Sequence, residues 1–407
     1  MKALTFRGGV HPFEGKDLSK DLKIKEVLPK GLLVYPMSQH IGAPATPIVA
    51  KGDRVLVGQK IGEASGFVSA HIYSSVSGTV TAVEPRLTVS GAKVLSVVVE
   101  NDNLYEKAEG IGQKRNYEEL SKEDIRNLIK NAGIVGMGGA GFPTHIKLTP
   151  KDDSKIEYVI VNGAECEPYL TSDYRVMLEE PEKLVKGLKV ILRLFENAQG
   201  IIAIEDNKPE AIKIMSQLVQ NESKIQVKVL KTKYPQGAER QLIFATTGRK
   251  INSAMLPADA GCVVDNVDTV VSVCLAVCES TPLMRRIVTV TGDAIKTPQN
   301  FKVPTGLNYA ELIEEAGGFT TQPKKVVSGG PMMGMALFDL NVPVMKTSSA
   351  LLCMTRDEVA EFEPSACIRC GRCVEACPSK LIPQKMLECS ERFDDKGFVA
   401  LNGMECY

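Results

Sequence analysis

The chain has 407 residues, and its 49 Lys and Arg balance 49 Asp and Glu, so no net charge draws it to nucleic acid or an anionic membrane. A chain of that length folds as roughly two to four domains, each able to bury a core. No run approaches the ~18 apolar residues of a bilayer span, and the segment from Met1 to Gly9 lacks the apolar core of a signal peptide. The 11 cysteines are therefore expected to face a reducing compartment, where metal binding outweighs disulfide formation.

Residues 1–110 are rich in Val, Gly and Pro, and short strands are expected at Gly31–Tyr35, Arg54–Val57, Gly78–Val83 and Val94–Val99. Ala50–Gly62 followed by Ser75–Val80 resembles a lipoyl or biotinyl barrel-sandwich hybrid. The hairpin tip that would carry a modified lysine reads Gly66-Phe67-Val68-Ser69-Ala70, so the expectation is a carrier fold without its swinging arm.

Residues 111–285 open on a capping box, Ser121-Lys122-Glu123-Asp124, with Ile125, Leu128 and Ile129 following at helical spacing. That helix leads into Gly136-Met137-Gly138-Gly139-Ala140-Gly141-Phe142-Pro143. Strands and helices then alternate: Tyr158–Asn162, Pro181–Phe195, Gly200–Glu205, Pro209–Val219, Ile225–Lys231 and the apolar helix Val267–Cys278. Alternation of this kind predicts a mainly parallel, Rossmann-like sheet covered by helices. Gly136, Gly138 and Gly141 satisfy G-x-G-x-x-G, but a dinucleotide fingerprint requires a strand before the glycines, and here a helix precedes them. Bare backbone of this kind still lets N–H groups approach a phosphate or a flavin ring.

Residues 286–343 are expected to form a small β-grasp unit, with strand Ile287–Thr291, helix Tyr309–Ala316 and the turn Ser328-Gly329-Gly330-Pro331-Met332-Met333-Gly334. Met332, Met333 and Met335 are read as core. Residues 344–407 carry Cys367-Ile368-Arg369-Cys370-Gly371-Arg372-Cys373-Val374-Glu375-Ala376-Cys377-Pro378 on short helices. This C-x2-C-x2-C-x3-C-P spacing is the ferredoxin-like run that holds 4Fe–4S clusters. In two-cluster proteins Cys367, Cys370 and Cys373 hold one cluster and Cys377 serves the other. Cys406, before Tyr407, reads as the first thiol of a second run, so the chain is expected to be a truncated part of a two-cluster subunit. Cys274 and Cys278, one helical turn apart, are read as core, and His145 beside the loop as an ordinary hydrogen-bonding residue.

The loop from Gly136 to Lys147 resembles the flavin loop of the NADH-oxidising flavoprotein subunit of respiratory complex I. So do Asn162-Gly163-Ala164-Glu165-Cys166-Glu167-Pro168, Tyr234-Pro235-Gln236-Gly237-Ala238-Glu239 and Asp265-Asn266-Val267-Asp268-Thr269. The resemblance implies that Gly136, Gly138, Gly139, Gly141 and Lys147 cradle FMN, with Phe142 against the nicotinamide nucleotide. It further implies that Asn162, Glu165, Glu167, Tyr234, Gly237 and Glu239 face flavin and NADH, and that Asp265, Asn266 and Thr269 face the FMN phosphate and ribityl chain. Two positions depart from the pattern. Ala238 stands where that family has glutamate, and Asp265 where it has asparagine.

With Phe6-Arg7-Gly8-Gly9-Val10-His11-Pro12 in front, the order of units resembles the RnfC family, peripheral NADH-side subunits of the ion-translocating Rnf electron transport complex. The resemblance implies FMN and two 4Fe–4S clusters as cofactors and NADH/NAD⁺ as substrate. It also implies partner subunits that include a ferredoxin-like one, no nucleic acid, and a place on the cytoplasmic face of the plasma membrane. A soluble flavin iron–sulfur reductase of the cobalamin-reductase type, and an electron-relay subunit with a decayed flavin site, are the other readings.

Overall fold

Period-2 burial builds the N-terminal unit. In strand Leu32–Pro36, Leu33 and Tyr35 are fully buried while Leu32 is exposed, the pattern of a strand with one face on a core. The structure, a computed structural model, describes residues 3–406. Strands Leu32–Pro36, Lys93–Asn101, Gly78–Leu87 and Arg54–Val55 lie side by side, antiparallel, and Thr46–Pro47, Lys60–Glu63 and Ile72–Tyr73 make a second small sheet. Leu33, Tyr35, Met37, Ile61, Ile72, Val80 and Val97 fill the space between them. The hairpin tip at residues 66–70 has no lysine, and Phe67 stands exposed there.

The second unit is a four-stranded parallel sheet in the spatial order Ile225–Leu230, Gln199–Glu205, Tyr158–Gly163, Cys262–Asn266. Its strands are apolar almost throughout because helices cover both faces. Val159, Val161, Ile202 and Ile204 share a core with helices Lys122–Asn131, Pro181–Leu192 and Val267–Glu279. Ile160, Ile201, Ala203 and Val264 face Leu242 and Ile243 of helix Glu239–Thr247. Each of the larger side chains among these contributes about 1.5–3 kcal/mol by leaving water. Cys274 and Cys278 are buried in the same core, as their spacing on an apolar helix indicated. Helix Lys122–Asn131 starts at the expected box: Ser121 Oγ accepts from the Asp124 N–H and Asp124 Oδ2 accepts from the Ser121 N–H, both at 3.1 Å. It stops at Gly133 (φ +63°), where a Cβ would collide with the His71 carbonyl. The chain thus enters its glycine loop from a helix.

The third unit is a mixed six-stranded sheet, ordered Lys25–Glu26, Gln299–Pro304, Arg285–Thr291, Ala350–Met354, Lys325–Ser328, Met335–Ala336, with helix Tyr309–Glu315 in its core. It reaches further along the chain than residues 286–343. Ala350–Met354 is a central strand, parallel to Arg285–Thr291 and antiparallel to Lys325–Ser328, and Lys25–Glu26 closes one edge. Met332 and Met333 are exposed rather than buried because they sit on a turn outside the sheet, and Met335 is exposed on the two-residue strand at its edge. The C-terminal region is a set of short helices, Glu358–Glu361, Arg372–Ala376, Pro383–Glu391 and Asp395–Ala400. Among the described residues no helix is long and apolar enough to cross a membrane.

Lys346 joins the first three units. Its buried ammonium donates to the carbonyls of His71 and Gly133, and its backbone N–H donates to Gln39 Oε1 at 3.0 Å. Burial pushes its pKa down to about 7. Lys346→Met strands two buried carbonyls and is expected to cost about 1–3 kcal/mol, read as a lower urea midpoint.

Candidate flavin and nucleotide site

In this parallel sheet the first and fourth strands are neighbours whose connections leave in opposite directions, and the crevice beyond their carboxyl ends at such a switch point is where ligands bind. Here that crevice lies between Asn162–Gly163 and Asn266, and the glycine loop covers it. Gly138 (φ +80°) faces Asn266 so closely that a Cβ would sit 3.1 Å from Nδ2, while Gly139 has open space around it. The loop is anchored below by the Met137 N–H, which donates to Thr269 Oγ1 at 2.9 Å. Its two ends close on each other through the Gly136 N–H and the Phe142 carbonyl at 2.8 Å. Gly141 (φ +76°) is wedged between Thr347 and the backbone of Gln39 and His40, so the barrel-sandwich unit buttresses the loop.

Asn266 has two tasks. Its Oδ1 accepts from the Asp268 N–H and caps helix Val267–Glu279, while its Nδ2 donates to Asp173 Oδ2 at 2.6 Å. Asn162 donates to the Gly237 carbonyl at 2.8 Å, which draws the Tyr234–Glu239 segment onto the crevice. Lys147 sits at its other wall. Lys147 Nζ donates to the Val264 carbonyl at 2.7 Å and lies 3.6 Å from Asp265 Oδ1 and 3.9 Å from Glu239 Oε1. The ammonium is therefore shared between two carboxylates, and burial raises the pKa of both. Both Asp265 carboxylate oxygens are buried without a hydrogen-bond partner.

Glu165 and Glu167 do not stand free in the crevice. Glu165, at φ +48°, turns its carboxylate inward; Oε1 accepts from the Asp173 N–H at 2.7 Å and Oε2 lies 4.0 Å from Lys16. Glu167 Oε2 accepts from the Met332 N–H at 3.1 Å, so the exposed methionine turn of the third unit abuts this wall. Glu165 Oε2 and Glu167 Oε1 are buried without hydrogen bonds. These orphaned oxygens, the open space at Gly139 and the glycine backbone beside Asn266 suit a polar, hydrogen-bonding planar ligand such as a flavin nucleotide. His145 does not join the loop's contacts to Asn266 or Thr269; burial pushes its pKa down to about 4.

Sequence reasoning passed over the cations beneath the site. Lys16 Nζ donates to the carbonyls of Glu165, Glu167 and Leu170 at 2.9, 3.0 and 2.6 Å, and Lys208 Nζ to that of Ala164 at 2.6 Å. Arg286 holds Asp268, the Ser348 carbonyl and Met137 Sδ. Asp173 was also missed. Burial first, then Glu165 and Asp268, raise its pKa from 3.8 to about 8.

The cluster thiols are arranged differently. Cys367, Cys370, Cys373 and Cys406 are exposed and Cys377 is partly so. Among the described residues no group of three or more His, Cys, Asp or Glu side chains is placed to hold a metal ion. The donor set still suits an iron–sulfur cluster: four thiols follow each other within one run, and backbone N–H groups of Arg369 and Leu381 point at the sulfurs of Cys367 and Cys377, both at 3.4 Å.

Asp173 gives a pH test. A carboxyl raised on folding contributes stability below its unfolded pKa of about 3.9 and loses it as pH rises through about 8. Denaturation midpoints are expected to fall over that window, and Asp173→Asn, which still accepts from Asn266, is expected to flatten the fall.

Four family models match: the RnfC barrel-sandwich hybrid domain over residues 4–104, the Nuo51 FMN-binding domain over 129–275, the SLBB domain over 287–336 and a 4Fe–4S binding domain over 359–382. The chain is 46% identical over 392 residues to the C subunit of the Na⁺-translocating ferredoxin:NAD⁺ oxidoreductase complex of Acetobacterium woodii, covering 96% of this chain and 88% of that protein. It is also 46% identical over 382 residues to the proton-translocating counterpart of Clostridium ljungdahlii, covering 94% and 83%. A crystal structure of an NAD⁺-reducing [NiFe]-hydrogenase shares the fold over 61% of this chain and 49% of that one, with a TM-score of 0.51 and 22% identity. Barrel-sandwich, FMN-binding, SLBB and 4Fe–4S units in this order, with near-full-length identity to two such subunits, place the chain in the RnfC family, the C subunits of ion-translocating ferredoxin:NAD⁺ oxidoreductase complexes.

Proposed function

We propose that this chain exchanges electrons between NAD(H) and 4Fe–4S clusters through FMN, as a peripheral subunit of a membrane complex that couples ferredoxin–NAD⁺ chemistry to Na⁺ or H⁺ transport. The observation that carries this reading is the glycine loop at the switch point, with the cysteine-bearing C-terminal region tied to the same unit where Glu405 accepts from Arg240 and Ser253. A bound flavin accepts a hydride from nicotinamide and passes electrons on singly, which is why it belongs between the two.

The chain's own residues then bind and orient. Gly136, Gly138, Gly139 and Gly141 supply backbone close to the ring, and Phe142 flanks the nucleotide. Asn266 and Thr269 face the ribityl and phosphate end. Lys147 partly offsets Asp265 and Glu239, which lessens the negative charge that an anionic phosphate meets at this wall. Asn162, Tyr234 and Gly237 shape the nucleotide side, while Glu165, turned inward toward Lys16, and Glu167, held by the Met332 N–H, limit how much negative charge NADH encounters. Cys367, Cys370 and Cys373 would ligate one cluster, with Cys377 and Cys406 serving a second. The partners are the other subunits of a membrane-bound complex, a ferredoxin-like one among them, at the cytoplasmic face of the plasma membrane. The four-way domain division fits this reading if the third unit is extended to Met354.

Lys147→Ala removes the cation that offsets Asp265 and Glu239 at the proposed phosphate end, so FMN is expected to bind about tenfold more weakly by fluorescence titration, the loss of one charge-assisted contact. Glu167→Gln is expected to change the KM for NADH in dye reduction. Unchanged values for both variants would mean that the site lies elsewhere. Cys370→Ser is expected to lower iron content and abolish the EPR signal of the cluster held by Cys367, Cys370 and Cys373 while FMN stays bound.

A further inference from the structure

The first residues of the chain lie between the nucleotide wall and the cluster run. Leu4 extends the parallel sheet at its Ile225–Leu230 edge: its N–H donates to the Val229 carbonyl and its carbonyl accepts from the Lys231 N–H, both at 2.8 Å. The segment then follows the chain to Tyr234, where Val10 and Tyr234 exchange two backbone hydrogen bonds of 2.8 Å. From the opposite side the Gly9 N–H donates to the carbonyl of Ala376 at 2.7 Å, one residue before Cys377.

Both glycines are required by contacts on both sides. Gly8 (φ +86°) would place a Cβ 2.8 Å from the Ala376 carbonyl oxygen and 3.3 Å from the Cys377 backbone, and Gly9 (φ +87°) would place one 2.9 Å from the Tyr234 carbonyl oxygen. Left-handed backbone and absent side chains together make this segment one bare peptide thick. Lys233 locks it in place. Its Nζ donates to the carbonyls of Phe6 and Gly8 and lies 3.8 Å from the centre of the Phe6 ring. A second tie holds the far end of the cluster region, where Glu405 accepts from Arg240 at 2.9 Å and from the Ser253 N–H. Arg240 directly follows Glu239 of the candidate site.

We propose that Gly8 and Gly9 are positioning residues for electron transfer, a spacer that fixes the distance between the Tyr234 wall of the flavin site and the Cys367–Cys377 run. The inference rests on the flavin-to-cluster reading above. In the step concerned, NADH is oxidised to NAD⁺ and its hydride brings two electrons to the flavin. These would leave singly to reduce ferric iron in the cluster, which a one-electron acceptor such as ferricyanide reoxidises after each transfer, and the one proton of the hydride passes to solvent.

The test uses the anaerobically reconstituted holoprotein. Stopped-flow mixing with NADH follows flavin bleaching and cluster bleaching separately, and amide hydrogen exchange reports on residues 366–382. Gly8→Val is expected to keep FMN, iron and the flavin-bleaching rate, to slow cluster bleaching severalfold, because the added side chain must push the Ala376–Cys377 backbone away, and to speed exchange around Ala376 and Cys377. Gly8→Ala is expected to do the same to a smaller degree. Cluster bleaching at the wild-type rate with unchanged exchange in both variants overturns the proposal. Should Gly8→Val fail to load iron, Lys233→Met, which releases the Phe6 and Gly8 carbonyls without adding bulk at Cys377, decides by the same two readouts. If NADH bleaches no flavin in the wild type, the functional reading falls, and exchange at Ala376 and Cys377 still decides whether the spacer holds the run.

Discussion

The site depends on one buried charge cluster, a carboxylate between two arginines. Asp268, fully buried on the first turn of helix Val267–Glu279, is held by Arg285 and Arg286 from the first long strand of the β-grasp unit. Arg286 reaches on to Met137 in the glycine loop and to the Ser348 carbonyl. A cluster of this kind adds little net stability, because desolvation offsets its attraction, but removing one partner leaves a buried charge and costs several kcal/mol. Its effect is registry. The capped helix, the loop above it and the neighbouring unit are fixed to each other within two residues of Asn266.

A second theme is the use of lysines as backbone clamps. Lys16, Lys208, Lys233 and Lys346 each aim a buried or part-buried ammonium at carbonyl oxygens. Carbonyls that no ladder satisfies would otherwise be costly inside a protein, and an ammonium can serve several at once. This keeps the Ala164–Leu170 turn in place, including the positive φ of Glu165 and Tyr169, without adding a further carboxylate near an anionic cofactor.

The units themselves were legible because their signals are local. The capping box of helix Lys122–Asn131 and the apolar runs of Tyr158–Gly163, Gln199–Glu205 and Lys93–Asn101 each reflect neighbours in sequence. What escaped was non-local. Lys25–Glu26 is too short to carry a pattern, and Ala350–Met354 looked like the start of a new unit because its sheet partners lie far back in the chain. Met332 and Met333 read as core by hydrophobicity, yet they sit on a glycine-bounded turn that never meets a sheet face. Lys16 and Arg286 could not be read either, since a hydrogen bond to a carbonyl leaves no trace in the identity of the residue that accepts it. Residue motifs located the flavin loop; they did not reveal that Glu165 points inward or that Lys147 is already shared.

The hairpin tip at residues 66–70 has a kinetic corollary. A lipoyl-type carrier visits successive partners on a tether, so its throughput is limited by search and docking of a mobile arm. This chain keeps the carrier's barrel but ends the hairpin in Phe67 and has no attachment lysine there. The barrel serves instead as masonry against Gly141, and nothing in it commutes. On the proposed function, electrons would cross gaps set by packing such as that of Gly141 on Thr347 and the Gln39–His40 backbone, with no arm to carry them.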